Sequence, residues 1–421
     1  MLRRGLIVTL GVTAALVLPA GASAAKFCVK KPKCVQAGGT QAPSIASAIA
    51  SANANGPDRD RIELGAKKYD DGPWTAASGN PVNIVGAGRG KTTLTRTNTS
   101  SGETILTLGD MKSRASDLAV AVNDGALIAG VRTAGDLKRI RVAGQSASLG
   151  QIGAVLLSGG SIAKSSVNLP TTESGYGVHA LEGGALIRDS RVRAATGVLA
   201  NHSSGQTRAV RLRVTAAVGG VDSTANLTLD QATVRMVGST PGIALRMSSS
   251  FSSVPRKFTA RHVTAIGTGA TNSFGAAALA SGFGPSECPR VKLVLRNSIL
   301  RGFDRDLFRS ESSTCLTDEA RADINLAWTV FDPNDVAESG GGKITKGKGN
   351  RNVNPRFVKP AKGNYRLKAS SPLIDKGQKG KPKKGESKRD LDGRRRVVDG
   401  DGNGKARRDV GAFERKRKRS R

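Results

Sequence analysis

The hexad Ile187–Val192 reads IRDSRV, apolar at each end and polar or charged between. The same frame recurs as LKRIRV (Leu137–Val142), IAKSSV (Ile162–Val167), AVRLRV (Ala209–Val214) and LDQATV (Leu229–Val234). Two further copies read FTARHV (Phe258–Val263) and VLRNSI (Val294–Ile299), and a poorer one ends at Leu118. From Val142 onward the closing residues step by 25, 25, 22, 20, 29 and 36. Between copies stand short apolar runs, GAVLL, GYGVHAL, TGVLA and GIAL, introduced or broken by small residues. A repeat of about 20 to 30 residues made of short β-type runs, with no long helical period, marks a solenoid.

One such coil cannot bury its inward side chains. Stacked coils can, because strands of successive turns pair as parallel sheets roughly 4.8 Å apart. Inward Val, Ile, Leu and Ala then line a narrow core, which suits a chain with 52 Gly and only 4% aromatic residues. Leucine-rich repeats would show denser Leu, and propeller blades would be longer and more regular. The coils are expected over 96–335, after an N-terminal cap and first coil over 25–95. In that cap Ile45, Ala48, Ile49 and Ala52 share one helical face behind a Ser44 N-cap. A C-terminal cap segment is expected over 336–414 and a basic tail over 415–421. From Lys376 to Arg421 there are 19 Lys+Arg against 7 Asp+Glu, so KGQKGKPKKGESKR and the terminal RKRKRSR are expected to be solvated and mobile.

Residues 1–24 read as a secretory signal peptide: Arg3-Arg4, an apolar run Leu6–Leu18, and Ala22-Ser23-Ala24 for cleavage. No transmembrane segment is expected in the mature chain. Four cysteines, Cys28, Cys34, Cys288 and Cys315, suit two disulfides in an exported protein. Short loops favour Cys28–Cys34 and Cys288–Cys315, although four cysteines allow three pairings. The formal charge of +33 attracts polyanions: acidic polysaccharide, cell-wall polymer, anionic lipid or nucleic acid. Export and scarce aromatics argue against nucleic acid, since single-strand binders stack bases on aromatic rings.

The opening segment SIASAIASANANGPDRDRIELGAKKY together with the repeats resembles the secreted right-handed parallel β-helix proteins of the pectate-lyase-like superfamily. The later stretch NPRFVKPAKGNYRLKASSPLIDKG followed by RDLDGRRRVVDGDGNGKARRDVGAFE is similar to the bacterial choice-of-anchor surface proteins, where such a segment follows the last coil. The fold implied is all-β: a right-handed parallel β-helix with an N-terminal helical cap and an irregular basic C-terminal tail. No sorting motif or hydrophobic tail follows Glu414. The expectation is therefore secretion without a covalent anchor, either free or with charge-based retention at the cell envelope.

The candidate sites are few. If hexad ends point inward, the fifth positions face solvent: Arg141, Ser166, Arg191, Arg213, Thr233, His262 and Ser298, with Lys138 and Arg188 at second positions. Arg141, Arg188, Arg191 and Arg213 are the expected ligand-binding residues, forming a ladder that reads a regularly charged polymer through bidentate guanidinium contacts. Asp399, Asp401, Asn403 and Gly404 match the start of a calcium loop, but position 12 is Val410 where a bidentate Glu belongs. A Gly-Asp turn is the preferred reading, structural calcium the rival, and no cofactor is required. GAGRGKTT (Gly86–Thr93) is one residue too short for a phosphate loop and reads as turn glycines.

Catalytic carboxylates do not stand out. Asp189 and Asp230 lie on separate coils, Asp70-Asp71 precedes the coils, and Asn123-Asp124 reads as a turn pair. His179, His202 and His262 share no spacing and read as surface or turn residues. The function expected is therefore non-catalytic binding of anionic polysaccharide or cell-wall polymer. The rivals are a polysaccharide lyase or glycoside hydrolase using the same groove, and a structural or adhesive rod.

Overall fold

The structure, a computed structural model, describes residues 23–96, 103–122, 129–144, 150–172, 174–239, 241–250, 254–282, 288–315 and 320–415. The expected signal peptide lies almost wholly outside the described residues, as do Asn123-Asp124 and the tail beyond Arg415. Among the described residues no helix is long and apolar enough to cross a membrane.

Each coil carries three short strands, and parallel pairing with the coils above and below builds three sheets. Sheet I contains Thr104–Leu108, Ala129–Thr133, Ile152–Leu156 and Tyr176–Ala180. Sheet II contains Arg114–Ser116, Asp136–Lys138, Ser161–Ala163 and Leu186–Arg188. Sheet III contains Ala119–Val122, Arg141–Gly144, Ser166–Asn168 and the start of Arg191–Ala200. Later strands run across corners, as in Thr207–Ser223, which crosses all three sheets.

The hexad spans the corner between sheets II and III. Its first residues stack as Leu137, Ile162, Ile187, Ala209 and Leu229, and its last as Val142, Val167, Val192, Val214 and Val234. All ten are buried. The third residue takes a left-handed conformation in every copy, from Asp117 (φ 58°) through Arg139, Lys164, Asp189, Arg211 and Gln231 to His262, Asn297 and Trp328. That single residue reverses side-chain parity, so both hexad ends face inward across an even number of positions. For a non-glycine residue it costs about 1–2 kcal/mol. Side-chain ladders along the corner offset part of this, including bidentate Arg139–Asp117 (2.5 and 2.5 Å) and Arg211–Asp189 (2.5 and 2.8 Å). At the fourth position buried serines tie coils together: Ser165 Oγ accepts from Ile140 N (3.0 Å), and Ser190 Oγ from Ser165 N (3.2 Å).

The structure corrects the frame of three copies. Ala115 pairs with Leu137 and Val120 with Val142, so the first hexad is Ala115–Val120 and ends two residues beyond Leu118. Leu229 pairs with Ala260 and Ala260 with Leu295, so the stacked hexads are Ala260–Ala265 and Leu295–Leu300. FTARHV was two residues early, which preserves parity. VLRNSI was one residue early, which inverts it. His262 is therefore a corner residue 1% exposed, and Ser298 is a fully buried fourth-position serine, with its Oγ accepting from Val263 N. Neither faces solvent.

The glycines of the apolar runs have a steric cause. Gly153, Gly177, Gly197 and Gly220 stack where sheet III turns into sheet I, against the closing valines of the hexads. A Cβ on Gly177 would come within 2.2 Å of Val192 Cγ1 and 2.6 Å of the Gly197 carbonyl oxygen. On Gly197 it would meet Val214 Cγ1 at 2.3 Å.

At the N-terminus α1 (Pro32–Gln36) is tied to the strand Lys26–Val29 by the Cys28–Cys34 disulfide. Helix α2 (Ile45–Ala54) begins at Ser44, whose Oγ accepts from Ser47 N at 3.0 Å, and buries Ile45, Ala48, Ile49 and Ala52 in the solenoid core. Cys288 and Cys315 form the second disulfide. The coils continue past 335: Val336–Ser339 and Ile344–Lys346 still pair in parallel with strands of the preceding coil.

The C-terminal segment is packed against the solenoid through hydrogen bonds and buried ion pairs. It folds back along sheet III and the II–III corner of the later coils. Gln378 N donates to Asn297 Oδ1 (2.6 Å), Gly411 N to the Asn297 carbonyl (2.8 Å), and Ala412 N to Thr264 Oγ1 (3.0 Å). Arg408, 1% exposed, pairs with Glu386 at 2.9 Å inside the stretch expected to be mobile. Arg396 and Glu414 form a buried pair (2.5 Å), and Arg396 Nε also donates to Gln231 Oε1 (3.0 Å). Composition suggested disorder because it counts charges without their partners.

Gly177→Val should destabilise the protein by about 1–3 kcal/mol through overpacking, whereas Gly90→Ala, with nothing near its Cβ, should change it by less than about 0.5 kcal/mol. Urea unfolding of both variants checks this; equal effects would refute the packing role of the glycine stack.

Candidate functional site

The candidate site is the basic outer face of sheets II and III around the left-handed corner. The outward residues of sheet III stack as Arg141, Ser166, Arg191, Arg213 and Thr233, so Arg191 and Arg213 stand on neighbouring rungs as expected. Beside them runs a second column, Ala143, Asn168, Arg193 and Thr215. On sheet II Lys138, Ala163 and Arg188 stack, next to a 370 Å³ groove that Arg114, Lys138, Arg139 and Arg188 help to line.

Charge compensation divides this face in two. Asp117 is held by Arg139, Asp189 by Arg211, and Asp136 by Arg114 at 3.4 Å. The Arg139 guanidinium holds the Asp117 carboxyl below its usual range, against the cost of burial. Lys138, Arg141, Lys164, Arg188, Arg191 and Arg193 are all exposed, and among the described residues no side-chain ion pair or hydrogen bond engages them. Of the four expected ligand-binding residues, Arg141, Arg188 and Arg191 are thus free to meet a ligand.

Arg213 differs. Its Nη2 donates to Asp392 Oδ1 at 2.8 Å, while Asp392 Oδ2 accepts from Arg366 Nε at 2.8 Å. Burial draws the Arg213 guanidinium below its ordinary value, with Asp392 opposing that fall and Arg191 adding to it. Thr233 is buried. The open ladder therefore ends at Arg213, where the C-terminal segment begins to cover sheet III. Arg193 was legible in the sequence, since it lies two residues beyond Arg191 on the same strand face. Lys164 was not, because nothing local marks the left-handed corner.

The other candidates resolve individually. Asp189 serves the corner ladder, and Asp230, fully buried, accepts from Ser387 N at 2.5 Å. Asp71 forms a backbone bridge with Arg96, and Gly86–Thr93 is a turn in which Gly88 N donates to the Asp117 carbonyl at 2.8 Å. His202 Nε2 lies 2.9 Å from Thr207 Oγ1 in a turn. His179 sits on a sheet I strand with its ring centroid 5.6 Å from that of Tyr176, and burial lowers its pKa.

Asp399 and Asp401 do come together, but Val410 is buried in the C-terminal core, so no EF-hand closes around them. The third carboxylate of the cluster is Asp375, 24 residues upstream of Asp399 and missed in the sequence. A second unforeseen feature is a 470 Å³ cavity lined in part by Arg301, Asp306, Asp332, Asp335, Asn352 and Phe357. Asp306 Oδ2 accepts from Arg301 Nη1 (3.0 Å) and Asp332 N (2.6 Å), and burial pushes its carboxyl up to about 6.

No protein-family model matches the sequence, and no curated protein does. Among solved structures the fold is similar to pectate lyase Pel9A, with a TM-score of 0.53 at 12% identity over 94% of this chain and 98% of that one. It also matches the Agl-KA catalytic domain (TM-score 0.46, 13% identity, 72% of this chain and 64% of that one). A further match is the catalytic unit of an α-1,3-glucanase from Streptomyces thermodiastaticus (0.37, 13%, 81% and 71%). The chain folds as a parallel β-helix, the fold it shares with pectate lyase Pel9A.

The Asp306 shift sets a pH dependence. The folded carboxyl keeps its proton to about pH 6, the unfolded one only to about 4. Between these values the folded state binds more protons, so this contribution to stability is lost as pH rises. Asp306→Asn does not titrate, and its stability relative to the parent protein should rise by about 2–3 kcal/mol from pH 4 to pH 7. Urea unfolding at both pH values measures this; a falling difference would contradict it.

Proposed function

We propose that the protein binds an acidic polysaccharide or cell-wall polymer outside the cell, along the basic face of sheets II and III. The observation that carries this reading is the set of six exposed, uncompensated cations on stacked rungs, from Lys138 and Arg141 to Arg191 and Arg193. Arg141 and Arg191 stand two rungs apart across Ser166, and Lys138 and Arg188 two rungs apart across Ala163, with Lys164 on the coil between them. Like charges gathered on one face repel unless an anion lies among them. A polymer with regularly spaced carboxylates supplies anions along cations that recur on every second rung, roughly 9.6 Å apart, and guanidinium binds carboxylate in a bidentate fork. The net charge of +33 steers such a polymer to the surface. Two disulfides support an oxidising location.

Cleavage of the same class of polymer is a second reading, supported by the buried Asp306 in its cavity: a carboxyl held near pH 6 suits acid–base chemistry. New unsaturated or reducing ends on incubation with acidic polysaccharides would favour it. Retention without turnover favours the binder.

Replacing Arg141, Arg188 and Arg191 together with Gln should weaken polyuronate binding by about 10- to 100-fold, at roughly 0.5–1 kcal/mol for each lost contact. Replacing exposed Lys359, Lys362 and Lys368 with Gln removes the same charge elsewhere and should weaken it less than about threefold. Affinity measured at two salt concentrations separates the two sets, and equal losses would reject a defined face.

A further inference from the structure

We propose that Asp375, Asp399 and Asp401 form a binding site for one divalent cation of the calcium class. One carboxylate oxygen from each lies within 4.8 Å of the others. They come from two segments: the turn after Leu373-Ile374, and the loop Asp399–Gly404. Because the site is independent of the basic face, its test does not depend on the polymer-binding reading.

Local turn geometry accounts for two of the three residues. Asp399 Oδ1 accepts from Gly402 N (2.7 Å) and Asn403 N (3.1 Å), its Oδ2 accepts from Gly404 N (2.9 Å), and Asp401 Oδ1 accepts from Asn403 N (3.1 Å). A Gly-Asp-rich loop makes such bonds without a metal.

Asp375 is not explained this way. It is only 4% exposed. Its carboxylate faces the loop, with Oδ2 accepting from Gly400 N (2.9 Å) and Asp401 N (3.0 Å). Its Oδ1 is buried and has no hydrogen-bond partner. A buried carboxylate oxygen left bare is costly, and two more carboxylates at this range add repulsion. One bound cation removes both penalties.

Neither nearby guanidinium forms an ion pair with the three carboxylates: Arg407 Nε donates to the Gly377 carbonyl and Arg415 Nη1 to the Gly400 carbonyl, each at 2.5 Å, although the Arg407 charge still attracts Asp375 from a distance. Carboxylate oxygens are hard ligands, and a loop open to solvent at Asp401 leaves room for the waters that complete a six- to eight-coordinate shell. The cation would pin the loop to the turn that carries Leu373 and Ile374, both part of the C-terminal core with Val410.

Calorimetric titration of the chelator-treated mature protein with calcium chloride tests this. One saturable site is expected, with a raised unfolding midpoint on binding. Asp375→Asn and Asp401→Asn should each weaken binding by at least about tenfold, while Asp70→Asn should leave it unchanged. Asp401 is exposed, so its variant tests the site even where Asp375→Asn fails to fold. No saturable binding below about 10 mM calcium, or binding retained by Asp401→Asn, would overturn the proposal. Magnesium binding as tightly as calcium would overturn the assignment to the calcium class.

Discussion

Everything in this molecule depends on coils stacking in one register with a single left-handed residue at the II–III corner. Because parity reverses at that residue, two strips of alternating side chains meet with both apolar ends inward. The core is a stack of Val, Ile, Leu and Ala that no coil could bury alone. The same register sets the outer face. A column such as Arg141–Ser166–Arg191–Arg213 follows from hydrogen bonding in the sheet, not from any local preference of arginine.

The C-terminal segment decides how much of that face is available. It covers the later coils through Asp392 on Arg213, Ser387 on Asp230 and the buried Arg396–Glu414 pair. The earlier coils stay open, and there Lys138, Arg141, Lys164, Arg188, Arg191 and Arg193 lack side-chain partners among the described residues. A buried ion pair contributes little net stability against a hydrophobic alternative, but removing one partner is costly. The strap is therefore held by polar contacts that are individually hard to break together with apolar clusters in which Leu373, Ile374 and Val410 pack on Ile299 and Val330. One carboxylate, Asp392, already bridges two guanidiniums, Arg213 and Arg366, and so displays within the chain the chemistry proposed for the ligand.

Much of the fold was legible because the hexad carries its own evidence: apolar ends at fixed spacing, repeated through the middle of the chain. The frame failed at the poor first copy, which ends at Val120 and not Leu118, and again where the repeat lengthened. After Val234 the insertions grow, and Val294–Ile299 looks as apolar at its ends as Leu295–Leu300. Only the pairing of Ala260 with Leu295 decides between them. The corner was invisible because none of its left-handed residues from Asp117 to Trp328 is glycine; the stacked coils impose that conformation. Arg141, Arg188 and Arg191 could be placed from periodicity, but the fate of Arg213 depended on Asp392, 179 residues away. Asp375 was missed for the same reason: the loop motif is local, and its third carboxylate is not.

Cysteine cross-linking measures the register directly. Adjacent rungs place paired Cα atoms roughly 4.8 Å apart, within the span of a disulfide. Ser166 and Arg191, which pair across two coils, should form a disulfide under mild oxidation when both are replaced by Cys, read by mass spectrometry beside the two native bridges. Cysteines at Ser166 and Arg193, on the same face but two residues out of step, should remain largely as thiols. Preferential linkage of 166 to 193 would show that the coils do not stack as described, and the arginine column would go with them.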